Sequence, residues 1–375
     1  MALNRAAGVL LKVAVFATSL FLCLFLAEVV SRVLFPGWAP VSAERLLWRH
    51  HPGLGWFHVP NCESRFRHRD FDISVRTNEL GLRDGPVVRR ASPGAIRCLV
   101  LGDSFAWGYG VEEDERFSER IEALQPALQM INAGVSGYGT DQQLLLYRML
   151  GPRLKPDLVL VLLHGNDFTN NVSRVQYWHA KPLFGLRDGC LVQVVDSVRA
   201  PGLKQRLGKF ILGRTYLYAH LYRRLWKPIE AALSGRRHRA RDRNGDGPRP
   251  RPVTGRGDDG EDAYDQRLTA ELLKHLGREV SAHGGRLVVV SVPMDGAEHL
   301  ARFLARELAE AGIPYLPLDA AMHGHSADEI YFPHDRHWTP AGHRIAAQAT
   351  AAFLRERGLL NGGDKGKADS MVKEP

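Results

Sequence analysis

Residues 97–105 read Arg97-Cys98-Leu99-Val100-Leu101-Gly102-Asp103-Ser104-Phe105. An apolar run stops at a glycine, an acid and a hydroxyl, with no polar lead-in. Short apolar runs bounded by turn residues read as buried strands. The end of this one admits two readings. It is a simple turn, or it is a serine held at the end of a sheet for chemistry.

Outward from this point the pattern repeats. The spacing predicts a strand over 97–101, a helix over 115–125, a strand over 128–133 and a helix over 140–150 with Thr140 and Asp141 as caps. A strand follows over 157–163. After an insertion come a helix over 263–282, a strand over 286–292, a helix over 296–311 and a short strand over 314–318. A last helix runs from Pro340 to Arg357, with Thr339 as its cap and Pro340 at its first position. Val/Leu runs alternating with amphipathic helices predict an α/β fold of three layers, α/β/α, around a central parallel sheet. Upstream, residues 56–85 alternate, as in Phe71-Asp72-Ile73-Ser74-Val75-Arg76-Thr77, and predict a small N-terminal β addition.

In open parallel sheets the site forms at the carboxyl ends of the strands. The first strand is followed by Gly102-Asp103-Ser104, the second by Asn132-Ala133-Gly134, the third by His164-Gly165-Asn166-Asp167. Beyond the last strand comes Asp335-Arg336-His337-Trp338. A serine hydroxyl needs an adjacent base, and an imidazole such as His337 serves. The imidazole needs an acceptor to hold its tautomer, and Asp335 stands two residues before it. An oxyanion needs donors, for which the backbone N–H groups of Ser104 and Gly134 and the Asn166 amide are the candidates. Asp103, Asp167 and His343 read as structural residues.

Gly-Asp-Ser-Phe, Asn-Ala-Gly, Gly-Asn-Asp and Asp-x-His-Trp, in that order, resemble the four sequence blocks of the SGNH hydrolases, also called GDSL esterases and lipases. The resemblance spans about 97–357, interrupted by the insertion. It implies an SGNH/flavodoxin-like fold, Ser104 as nucleophile, Ser104, Gly134 and Asn166 as oxyanion hole and His337 as base. Two departures stand out. The third block usually reads Gly-x-Asn-Asp, and His164 occupies the place of its glycine. The fourth block usually places its acid three residues before the histidine, where this chain has His334. The Asp-x-His-Trp form, the apolar N-terminus and Asn78-Glu79-Leu80-Gly81-Leu82-Arg83 look similar to membrane-anchored bacterial members acting on acylated polysaccharides, alginate-type O-acetyltransferases among them.

The 375 residues suffice for one large domain plus extras, and 45% hydrophobic content suits a folded chain. A formal net charge of +9 would suit nucleic acid if spread over one folded face. Eight arginines instead crowd into 236–256, among Gly, Pro, Asp and Asn, so no nucleic-acid partner is expected. Residues 134–139 lack the glycine spacing of a dinucleotide loop, and His323, His325 and His334 lack metal-ligand spacing. No cofactor and no metal are expected.

Val13 to Ala27 carries no charge, and the apolar stretch extends from Val9 to Val30. About 20 residues span the hydrocarbon of a bilayer. The stretch reads as a retained anchor with the catalytic domain outside the cytoplasm, a cleaved signal peptide being the alternative. Cys62 and Cys190 are free to pair or not. The expected organisation is a tail (1–8), an anchor (9–33), a linker and β addition (34–95), a first domain part (96–167), an insertion (168–262), a second domain part (263–360) and a disordered tail (361–375). Within the insertion, 209–233 reads as a basic aromatic helix on its own domain or on a membrane surface, and 234–262 as disordered. The expected function is a membrane-anchored serine esterase acting on acetyl or short acyl esters of a small molecule or glycan. The alternatives are an O-acyltransferase with the same triad and a glycan-binding module with a relict site.

Overall fold

The computed structural model of the chain describes residues 2–34, 47–86, 94–176, 179–202, 215–217, 263–294 and 296–360. The chain forms two compact units, Met1–Arg45 with Pro201–Pro248, and Leu46–Ala200 with Arg249–Pro375.

The first unit holds helix α1 (Ala2–Leu34). Its Leu11–Leu34 portion, 24 residues with mean hydropathy 2.4, is long and apolar enough to cross a membrane. Large side chains such as Phe16 and Phe21 are exposed on it, 70% and 66%. The Glu28 carboxylate accepts the backbone N–H groups of Tyr216 and Leu217 at 3.0 and 2.9 Å, and Arg32 donates to it at 2.9 Å.

The second unit starts with two antiparallel hairpins, β1 (Trp48–His51) with β2 (Gly55–His58) and β3 (Glu63–Arg67) with β4 (Asp72–Arg76). Strand β5 (Ile96–Gly102) leads into the short helix α2 (Ser104–Trp107), then α3 (Phe117–Leu124). Next come β6 (Leu128–Asn132), α4 (Thr140–Leu154), β7 (Leu158–Leu163) and α5 (Asn166–Asn171). The insertion adds β8 (Val175–Gln176), β9 (His179–Ala180), β10 (Leu183–Arg187) and β11 (Cys190–Val195). The chain then runs through α6 (Tyr264–Ala282), β12 (Arg286–Ser291), α7 (Glu298–Glu310) and β13 (Tyr315–Pro317). It closes with α8 (Asp319–Met322), α9 (Ala327–Ile330) and α10 (Pro340–Glu356).

The central sheet is parallel throughout, in the order β13-β12-β7-β5-β6. Strand residues alternate between two cores. Leu99, Leu101, Val159, Val161 and Val289 pack with α4, α6 and α7 on one face. Cys98, Val100, Leu160, Leu162 and Val290 pack with α3 and α10 on the other. Burial on both faces is why these strands are unbroken Val/Leu runs. Each such side chain is worth roughly 1.5–3 kcal/mol of burial. A third cluster fastens the β addition to the domain: Phe66, Phe71, Ile73 and Val75 close over Trp107 of α2.

Some expectations are corrected. The cap of α4 is Gly139, and Thr140 is the first helical residue. Asp141 is instead held by the ammonium of buried Lys181 from the insertion. That helix also continues four residues past 150, through Pro152. The insertion contains a β-hairpin, β10 with β11, that the periodicity reading passed over. Its signal is the turn Asp188-Gly189, both residues at positive φ, 51° and 76°. Cys62 and Cys190 form no disulfide. The expected disordered segments, 234–262 and 361–375, and most of 209–233 lie outside the described residues.

Candidate active site

The sheet order grows to both sides of β5, so the crevice for a ligand lies where the loops after β5 and β7 diverge. Ser104 follows β5 and Asn166 follows β7. Gly102 has φ +154°, and a Cβ there would stand 2.6 Å from the Leu162 carbonyl oxygen and 2.7 Å from the Ala106 Cβ. Only glycine lets the strand pass so sharply into α2. Asp103 then caps α2, its carboxylate accepting the Phe105 N–H at 2.9 Å. This turn places the Ser104 side chain at the carboxyl edge of the sheet.

His337 arrives from the loop before α10. Phe332 N–H donates to the His337 carbonyl at 2.8 Å and Arg336 N–H to the Phe332 carbonyl at 3.0 Å. Arg336 takes a left-handed φ of 72°, which closes this turn. Trp338 is fully buried and meets Phe105 edge-on at 5.0 Å between ring centres. Thr339 caps α10, as expected, accepting Gly342 N–H at 3.2 Å. His343 is buried and its Nδ1 accepts the Phe117 N–H at 3.1 Å, a structural role.

The result is a relay of three side chains. His337 Nε2 is 2.7 Å from Ser104 Oγ, and His337 Nδ1 is 2.5 Å from Asp335 Oδ1. With the Nδ1 proton given to Asp335, Nε2 is left to accept the serine proton. The His337 ring neighbours Phe105 and Tyr109, with ring centres at 5.0 and 4.8 Å.

Asp70, in the loop joining β3 to β4, is a functional residue that sequence reasoning missed. Its Oδ2 accepts the backbone N–H groups of His334 and Asp335, at 3.0 and 2.8 Å, and its Oδ1 accepts His334 Nδ1–H at 2.6 Å. Burial pushes this carboxyl up, but the hydrogen bonds from His334 and Asp335 outweigh it and hold it below its ordinary value. No local pattern marks Asp70; only the contact across the fold reveals it.

The expected oxyanion donors are brought together unequally. Ser104 and Asn166 line one cleft with Asp335 and His337, about 350 Å³ in volume. Asn166 Nδ2 donates one proton to Asp103 Oδ2 at 3.1 Å, which leaves its second for a ligand. The Gly134 N–H is already given to Asn132 Oδ1 at 2.9 Å. A Cβ on Gly134 would meet the Trp107 nitrogen at 2.5 Å. The absence of a side chain here lets the loop approach α2 closely. A larger groove of about 740 Å³, beside Arg286 and Ile313, lies at the amino ends of β12 and β13, the opposite edge of the sheet.

A nucleophile with a base in hydrogen-bond reach and a donor beside it can carry an acyl group through a covalent intermediate. Residues 100–205 match the GDSL-like lipase/acylhydrolase family, and residues 257–374 match the SGNH hydrolase-like domain of acetyltransferase AlgX. The first stretch contains Ser104, Gly134 and Asn166, the second Asp335 and His337. No match was found among curated proteins. Similar solved structures include TesA, 11% identical over 69% of this chain and 98% of that one, with TM-score 0.40. The psychrotrophic esterase EstA from Pseudoalteromonas sp. is 12% identical over 70% and 98%, with TM-score 0.39. A member of the lipolytic protein G-D-S-L family from Veillonella parvula DSM 2008 is 11% identical over 69% and 97%, with TM-score 0.36. The chain carries an SGNH hydrolase-like domain of the GDSL type, assembled from these two stretches.

Proposed function

We propose that the chain is a serine esterase that removes acetyl or short acyl groups from an alcohol, by way of an acyl-enzyme, on an N-terminal membrane anchor. The observation that carries this reading is the 2.7 Å contact of Ser104 Oγ with His337 Nε2, backed by Asp335. Ser104 Oγ attacks the ester carbonyl while His337 takes its proton. The tetrahedral oxyanion is met by the Ser104 N–H and the Asn166 amide. Collapse breaks the bond to the alcohol oxygen, which leaves with the proton from His337. Water, deprotonated by His337, then attacks the acyl-serine and releases the acid, restoring Ser104. The small cleft, with Val292 and Pro293 on its wall, suits a short acyl group on a carbohydrate hydroxyl better than a long chain. The apolar helix α1 supports an anchored enzyme.

A second reading, an O-acyltransferase, is favoured by the acetyltransferase AlgX match over 257–374. A sugar hydroxyl then replaces water in the second half-reaction. Hydrolysis of p-nitrophenyl esters of increasing chain length, with Ser104→Ala as control, tests the shared first half. Mass analysis of products from an acetylated donor and a glycan acceptor separates the two readings. An untouched acetyl ester together with no labelling of Ser104 by a fluorophosphonate would leave a glycan-binding module with a relict site.

A further inference from the structure

His164 stands where the resembling family carries glycine, and its side chain lines the same cleft as Ser104 and Asn166. Its Nδ1 lies 3.6 Å from Asp103 Oδ2, an ion-pair distance. The same oxygen accepts Asn166 Nδ2–H at 3.1 Å. Asp103 is fully buried and sits one residue before the nucleophile. The His164 ring packs on Phe105 at 4.7 Å, and Phe105 also neighbours His337, at 5.0 Å.

An ionised carboxylate here presents a problem for acyl transfer. The reaction builds negative charge on the carbonyl oxygen beside Asn166, and Asp103 repels it through a low-dielectric interior. A cation that neutralises Asp103 removes that repulsion. We propose that His164 is the counter-ion of Asp103, and that the pair keeps the floor of the oxyanion site electrically neutral while Ser104 is acylated. This inference rests on the proposed serine chemistry for its kinetic consequence and on geometry alone for the pairing.

The surrounding charges are consistent with it. Burial pushes the His164 imidazole down, but Asp103 beside it prevails and holds it above its ordinary value. Burial pushes Asp103 up, yet His164 and the Phe105 N–H hold it below the usual carboxylate range. The neighbouring carboxyl, Asp167, is raised well above its ordinary value by burial and by the charge of Asp103. The other charged or titratable groups at the cleft are His337, Asp335, Arg336 and Tyr331.

The kinetic signature is a bell. His337 must be unprotonated to accept the serine proton, which sets the acid limb. His164 must be protonated to mask Asp103, and that benefit is lost as pH rises through its raised value, which sets the basic limb. The test is the pH profile of kcat/KM for p-nitrophenyl acetate with the full chain in detergent, wild type against His164→Gln. The expected result is roughly 10-fold slower turnover at neutral pH, less than the loss of a direct oxyanion donor, with the basic limb gone and the acid limb kept. A His164→Gln profile that superimposes on wild type overturns the proposal. A histidine-labelled NMR titration reads the pairing without any substrate. His164 should titrate above an ordinary imidazole and return toward it in Asp103→Asn; titration at or below the ordinary range also overturns the proposal. Failure of the wild type to hydrolyse esters or to take fluorophosphonate on Ser104 counts against the serine-esterase reading instead, and the NMR titration then decides the pairing.

Discussion

Asp70 and Asp335 are 265 positions apart, and Asp70 Oδ2 accepts the Asp335 backbone N–H at 2.8 Å. The bond ties the N-terminal β addition to the loop that carries the triad acid and base. With the two contacts from His334, it makes Asp70 the brace that holds Asp335 toward His337. The addition is thus a supporting part of the site, and not only a lid on the hydrophobic core.

Asp70→Ala should lower kcat with little change in KM, by up to about 10²-fold if the triad acid shifts by an ångström. Ester hydrolysis at substrate saturation checks this. The carboxyl of Asp70 lies below its ordinary value of 3.8 in the folded chain. Its contribution is therefore present above pH 3.8 and lost as pH falls through the lower folded value. In Asp70→Asn that acid-side loss should vanish from the urea midpoint plotted against pH.

Ser104→Ala and His337→Ala should each abolish ester cleavage while leaving the thermal unfolding temperature near that of wild type. Asn166→Ala should cost about 10²- to 10³-fold in turnover, as for one oxyanion donor. Wild-type rates in any of the three would refute the assignment.

Gly134→Ala should damage stability before it damages chemistry. The new Cβ would lie 2.5 Å from the Trp107 nitrogen and 2.7 Å from the Ala106 carbonyl carbon, both backbone atoms that cannot swing aside. A loss of about 1–3 kcal/mol or more by urea denaturation is expected for such overpacking. Unchanged stability with lost activity would instead mark Gly134 as a direct oxyanion donor.

Two buried histidines should make the fold acid-sensitive. His58 lies beneath Trp48 and Trp107, and His343 beside Trp338; both rings are pushed by burial from 6.5 down to about 3. Between those values the unfolded chain binds protons that the folded chain refuses. Stability should therefore fall as pH drops from about 6.5 toward 3. His58→Phe should flatten part of that slope, and urea midpoints from pH 7 to pH 4 measure it.

The alternation of apolar strands and amphipathic helices was legible because it is local: a strand buried on both faces must be apolar throughout, wherever it sits in the chain. The Thr339-Pro340 cap of α10 followed from short-range backbone chemistry in the same way. So did the choice of Ser104, Asn166 and His337, since each stands next to a recognisable strand or helix end. The β10–β11 hairpin was also local, and its Asp188-Gly189 turn was there to be read. Asp70 beneath Asp335, Lys181 on Asp141 and His164 against Asp103 left no such trace. Each is a contact between charges that are distant in sequence or separated by a whole strand and helix. Such a contact exists only after the sheet has chosen its order, because Coulomb and hydrogen-bond energies depend on separations in space and not along the chain.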